Sequence, residues 1–246
     1  MKKILFALFG ISFFQIVAAQ KFEDLDLYHL DFSVGVHSSF LRNKTLDNYI
    51  STYNKNNASV LKSDFNNFRM LNGFEVGIKW NYLSMNYGQH GQSQWREISN
   101  NRERQFRLNG TYVNVLGTFE IGKSKTRISM GLNSYSSKFI AQVKYPNGEK
   151  SRGQDYNLNG TYKGKSLNGS IRVEKRLGKR EKNFPSFFVQ FTGLIKGTDS
   201  GYTDFNSGKA ALNTGNNAIT SIDAKAGFTG FFFGLNFNFG TAKNTR

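Results

Sequence analysis

His37 and Ser39 are the residues of this sequence whose types and spacing come nearest to chemistry. Two positions apart on an extended strand, they share a face. An imidazole beside a hydroxyl is the minimum of a nucleophile and its base. Hydrolysis by such a pair needs a third group to orient the imidazole, and the neighbouring sequence supplies no evident acid. His29, Asp31 and His37 carry ligating side chains. On an extended strand, however, the two histidines lie ~26 Å apart, too far to share one ion. Glu23, Asp24 and Asp26 crowd a segment ahead of any patterned strand, there is no cysteine, and no glycine-rich run has phosphate-loop spacing. These residues predict no catalytic, cofactor or metal site and a protein that is not an enzyme.

The elements around these residues follow from periodicity. Tyr28, Leu30, Phe32, Val34 and Val36 alternate with His29, Asp31, Ser33, Gly35 and His37, which is a strand with one apolar and one polar face. Phe74 to Tyr82 repeats the pattern, and Leu83, Met85 and Tyr87 begin a third run after a turn near Asn81. Further runs cover Arg104 to Ile121, Arg127 to Tyr145, Tyr156 to Glu174 and Phe187 to Ile195. The last is the clearest: Phe231, Phe233, Leu235, Phe237 and Phe239 alternate with Phe232, Gly234, Asn236 and Asn238. The fold class is all-β, a single antiparallel transmembrane β-barrel of about eight strands, the smallest number that closes in a membrane. Connections alternate short and long, as in barrels with tight turns at one rim and loops at the other.

Composition agrees. Aromatics are 15% of the 246 residues, with 24 Phe and 11 Tyr, and 25 Gly stand against 2 Pro. Such a composition suits strands paired along their whole length. Mean hydropathy is −0.49, and after the first residues no apolar run is long enough for a transmembrane helix. A soluble barrel with an apolar interior is the rival. Against it, the would-be inward set holds His29, Asp31, Glu75, Lys79, Arg172 and Glu174, and aromatics mark the run ends at Tyr28, Trp80, Tyr82, Trp95, Tyr145 and Phe239. Inside a narrow lumen, Asp31, Glu75, Glu120 and Glu174 are expected to pair with Lys79, Arg107, Arg127 and Arg172. Phe233→Arg is expected to hinder insertion, and Asn236→Arg to be milder.

Residues 1–19 read as a secretory signal peptide: Lys2 and Lys3, an apolar stretch from Ile4 to Val17, then Val17-Ala18-Ala19 before Gln20. Residues 20–246 form the barrel domain. The formal charge of +16 becomes +14 without Lys2 and Lys3. Export turns this basic excess away from nucleic acid and toward anionic lipid. Arg102, Arg104, Lys150 and Arg152 fall on outer loops, where they can meet lipopolysaccharide phosphates. Lys175, Arg176, Lys179, Arg180 and Lys182 crowd one turn, and Lys123, Lys125 and Arg127 another.

One helical signal interrupts the strands. Leu46, Tyr49, Ile50 and Tyr53 recur at i, i+3, i+4 and i+7, with Thr45 placed to cap and Asp47 and Lys55 placed to suit the helix dipole. This stripe lies in the first long loop. It either covers the barrel mouth or contacts a partner, and these four residues are the candidate partner-binding set.

The small-residue signal end, the Gly-, Asn- and Phe-rich body and the closing run Gly230 to Phe239 resemble the small outer-membrane β-barrel proteins of Bacteroidota-type bacteria, with OmpA/OmpX-like eight-stranded architecture. The resemblance implies a cell outer-membrane protein. The expected function is that of a non-enzymatic structural or accessory subunit, touching outer-membrane lipid, lipopolysaccharide and a larger envelope complex through its outer loops. A narrow channel for small apolar solutes and a lipid A deacylase-like enzyme, in which a His-x-Ser pair acts, are the alternatives.

Overall fold

A computed structural model describes residues 30–80, 82–98, 101–121, 126–150, 160–177, 183–197, 203–204, 211–213, 219–221 and 228–240. The leader of residues 1–19, His29 and the acidic segment Glu23 to Asp26 lie outside the described residues. So do Lys123, Lys125, Arg152, Lys179, Arg180 and Lys182.

Eight long strands follow one another: β1 (Leu30–Arg42), β2 (Met70–Trp80), β3 (Leu83–Ile98), β4 (Arg102–Glu120), β5 (Thr126–Lys144), β6 (Gly160–Arg176), β7 (Asn183–Gly197) and β8 (Thr229–Gly240). Each pairs antiparallel with its neighbours in sequence, and β8 pairs with β1 from Asp31↔Gly240 to Arg42↔Thr229. The sheet is therefore a closed barrel, and closure removes the exposed edges that an open sheet would leave. One irregularity, between Leu167 and Asn168, shifts the β6–β7 register. One helix, α1 (Lys44–Asn56), sits between β1 and β2.

The alternation is resolved in the sense the charged residues required. Phe32, Val34 and Val36 on β1, Phe74, Val76 and Ile78 on β2, and Phe231, Phe233, Leu235, Phe237 and Phe239 on β8 all point outward and are exposed. Asp31, Ser33, His37 and Ser39, opposite them on β1, are buried. The apolar-in soluble barrel is overturned by this orientation: the outside is apolar and the inside polar.

The two rims differ. At one, β2, β4 and β6 connect onward through residues 81–82, 121–125 and 177–182. The opposite rim carries the connection with α1, residues 145–159 and residues 198–228. We call these the turn end and the loop end. Just before β4, also at the loop end, Asn101 takes φ 52°, a left-handed conformation that asparagine tolerates in tight turns. At ~3.3 Å per residue, β4 and β5, with 19 residues each, exceed the ~9–11 a tilted crossing needs. They rise beyond the apolar belt at the loop end.

Candidate functional site

The loop end of the lumen is closed by the protein's own first loop. Asn43 rather than Thr45 caps α1, accepting the Leu46 N–H at 3.0 Å. The helix therefore starts one residue before the expected cap. Asp47, in the first turn, bonds Arg69 at 3.0 Å. Burial lifts its carboxyl above the ordinary range, against the opposing pull of Arg69 and Arg42. The stripe Leu46, Tyr49, Ile50 and Tyr53 is buried, each residue 5% exposed or less. It packs on inward-facing Phe106 of β4 and Phe139 of β5, with Tyr53–Phe106 ring centroids 4.9 Å apart and Tyr49–Phe139 5.6 Å. Of the two roles expected for this stripe, covering the barrel mouth is the one its packing matches.

The segment after the helix is stitched to the same plug. Asn54 donates to the Phe65 carbonyl at 2.9 Å and accepts the Phe65 N–H at 3.0 Å. Gln94 of β3 accepts from the Asn66 N–H at 2.9 Å and donates to the Asn66 carbonyl at 2.8 Å. Phe65 then meets Phe106 at 4.2 Å. Sequence reasoning missed Phe65, Phe68, Phe106 and Phe139 as plug residues.

Below the plug lies a layer of rings and imidazoles. His90 of β3 stacks on Phe232 at 5.6 Å, and its Nε2 meets the Tyr135 hydroxyl at 2.7 Å. The Ser39 hydroxyl donates to the Leu71 carbonyl at 3.1 Å and meets His90 Nδ1 at 2.9 Å, while His37 Nε2 lies 3.4 Å from His90 Nδ1. The structure thus pairs Ser39 with His90, which the sequence could not place beside it. His37 and Ser39 face the barrel interior rather than lipid. Two glycines make room here. A methyl group at Gly88 would overlap the Tyr112 ring, and one at Gly110 would overlap the Tyr135 hydroxyl and the His90 ring.

Further toward the turn end the lumen is an ion-pair ladder. Arg172 holds Glu75 through two bonds of 2.6 and 3.1 Å and lies 3.7 Å from the Phe188 ring centroid. Tyr112 and Asn236 also donate to Glu75, at 2.9 and 2.8 Å. Lys79 bonds both oxygens of Glu174 at 2.6 and 2.7 Å, and Arg127 bonds Asp31 at 3.2 Å and Glu120 at 2.7 Å. The pairing expected for the lumen holds with one exception: Arg107 points outward and is exposed. An amide chain completes the filling, with Asn133 donating to Asn114 at 2.6 Å and Asn168 to Asn133 at 3.3 Å.

These contacts bear on two further expectations. Asn236→Arg is expected to be costly in its own right, because Asn236 is buried beside Gly35 and donates to Glu75. A guanidinium there has no space and adds a cation beside Arg172. Arg104 does not reach outward for phosphate. It is buried, with its guanidinium 5.5 Å from the Tyr53 ring centroid.

Asn114, Asn133 and Asn168 are 0% exposed, and Arg172 and Glu75 at most 2%. Among the described residues these side chains fill the layer, as expected of an eight-stranded barrel filled from within. Among the described residues no group of three or more His, Cys, Asp or Glu is placed to hold a metal ion.

No known protein family matches the sequence, and no curated protein matches it. Among solved structures the chain is similar to Ail, the attachment invasion locus protein of Yersinia pestis, in complex with the heparin analogue sucrose octasulfate. The TM-score is 0.44 at 10% identity, over 86% of this chain and 98% of that one. A second structure of Ail from Yersinia pestis gives a TM-score of 0.39 at 9% identity, over 86% and 99%.

Proposed function

We propose that this protein is an outer-membrane β-barrel that neither conducts nor catalyses, and that serves as a structural or accessory protein presenting its loop end outside the membrane. The observation that carries the reading is the apolar belt around a filled, charged lumen. Water does not tolerate a continuous apolar surface of this size, whereas a bilayer requires one. Buried ion pairs are acceptable inside because each charge meets a partner.

The helix plug and the ion-pair ladder speak against the channel for small apolar solutes, since they place packed rings and paired charges across the described lumen. Burial of His37 and Ser39 beneath the plug speaks against the lipid-modifying enzyme. With α1 packed in the mouth, a partner in an envelope complex would meet other loop-end surface, such as the described residues 145–150.

The test is reconstitution of the full chain into planar bilayers, with folding followed by heat-sensitive gel migration. The reading expects a β-rich, heat-shifted protein that inserts and gives no steady conductance. Compact solubility without detergent would refute the membrane reading, and stable conductance steps would refute the sealed lumen.

A further inference from the structure

The outward face of β4 changes character along its length. Phe119, Val115 and Val113 belong to the apolar belt. Toward the loop end the same face continues as Thr111, Asn109 and Arg107. The neighbouring strands change in step. On β5, Leu132 gives way to Ser136 and Lys138, and on β6, Leu167 gives way to Lys165 and Lys163. The cationic rows belong to this sector. On the far side of the barrel Phe40, Met70 and Phe231 sit outward in register with one another, with the uncharged pair Ser38 and Asn72 beside them. A charged rim serving only solubility would have no reason to occupy one sector.

The sector is also hollow. A recess of about 760 Å³ opens on it, beside the outward position on β3 that is Gly91 and has no side chain. Among the described residues its lining carries Arg107, Lys138, Lys163 and Lys165 and no carboxylate. Lys138 and Lys163 stand directly opposite each other across the β5–β6 pair, Asn109 stands opposite Lys138, and Thr111, Ser136 and Lys165 form the adjacent row. An anion seated here meets basic side chains from β4, β5 and β6 together.

We propose that this recess binds the phosphorylated headgroup of an outer-leaflet glycolipid, with the acyl chains lying on Val113, Val115, Leu132 and Leu167. The inference rests on the membrane reading above and adds a site to it. The two halves of the surface select the two halves of one ligand. Basic side chains suit monoester phosphates of roughly −1.5 to −2 each, and Asn109 and Thr111 supply neutral donors to sugar or phosphate oxygens. A free anion uses only the upper half, and an uncharged lipid only the lower.

The test uses the full chain folded in detergent, titrated by native mass spectrometry with bisphosphorylated lipid A, with the same lipid dephosphorylated, and with inorganic phosphate as competitor. The variant is Lys138→Gln with Lys163→Gln and Lys165→Gln. Its charge-matched control is Lys55→Gln with Lys62→Gln and Lys144→Gln. Every protein is also checked for insertion into phosphatidylcholine vesicles. The expected result is equal binding of bisphosphorylated lipid A by wild type and control, and roughly hundredfold weaker binding by the variant. Dephosphorylated lipid should bind wild type as weakly as the variant binds the phosphorylated lipid. Equal affinities for variant and control would overturn the proposal, as would complete displacement by millimolar phosphate, which would reveal a small-anion site. Failure of wild type to insert into vesicles would overturn the membrane reading itself, and the lipid site with it.

Discussion

Replacing Arg172 with Met tests the ion-pair ladder at its most buried point. The guanidinium holds Glu75 at 2.6 and 3.1 Å, lies 3.6 Å from Glu174 and stacks on Phe188. Methionine fills much of the same volume but removes the cation, so Glu75 keeps only the neutral donors Tyr112 and Asn236. Breaking one side of a buried pair costs about 3–5 kcal/mol, most of it from the charge left uncompensated. If that is the cause, Glu75→Gln added to Arg172→Met should recover a large part of the loss. The amide restores neutrality and still accepts from Tyr112. Glu174 keeps Lys79 as its partner in both variants. The assay is urea unfolding of vesicle-inserted protein, read by heat-sensitive gel migration. A single variant within about 1 kcal/mol of wild type, or a double variant no better than the single, would refute the reasoning.

Leu235→Arg places a cation at the centre of the β8 belt and should cost about 2–4 kcal/mol of folding stability in vesicles, measured by the same unfolding assay. Tyr49→Arg removes a ring wedged between Phe106 and Phe139. It should cost about 3 kcal/mol of plug stability, seen as rapid protease cleavage within residues 57–69 while the strands stay protected. Gly110→Ala forces a methyl group into the space of His90 and Tyr135. It should destabilise the barrel by about 1–3 kcal/mol through overpacking, whereas Gly148→Ala, where the added carbon meets nothing, should cost only the strain of its φ of 83°.

The strands were legible because each strand's period is two and the charged residues fix which parity faces in. Asp31, Glu75, Lys79, Arg172 and Glu174 identified the lumen on β1, β2 and β6 before any pairing was known. The imperfect alternation of β4 carried information that simple periodicity hides. Its apolar residues sit at odd positions in Val113 and Val115 but at even positions in Phe106 and Leu108. On β5 the switch runs from Ile128, Met130 and Leu132 to Phe139, Ala141 and Val143. The switch marks where the bilayer-facing belt ends and the plug begins, so the strands become apolar inside once they rise above it. The helix stripe was legible, but its destination was not, because an amphipathic face records that it must be covered and not by what. The Ser39–His90 contact joins residues 51 apart in sequence and depends on the β1–β2–β3 register, which no local pattern encodes. The same holds for the cationic recess, assembled from residues on three strands whose alignment only pairing reveals.

The belt itself is open to direct measurement. The chain contains no cysteine, so a nitroxide attached to Leu235→Cys reports from a single place. In protein reconstituted into phospholipid vesicles, power-saturation EPR compares collisions of that label with oxygen, which partitions into lipid, and with a water-soluble nickel chelate. The label at Leu235 should show high oxygen and low chelate accessibility, with the reverse at a label on Asn147 in the loop-end turn. High chelate accessibility at Leu235 would place the apolar face in water and contradict the central claim.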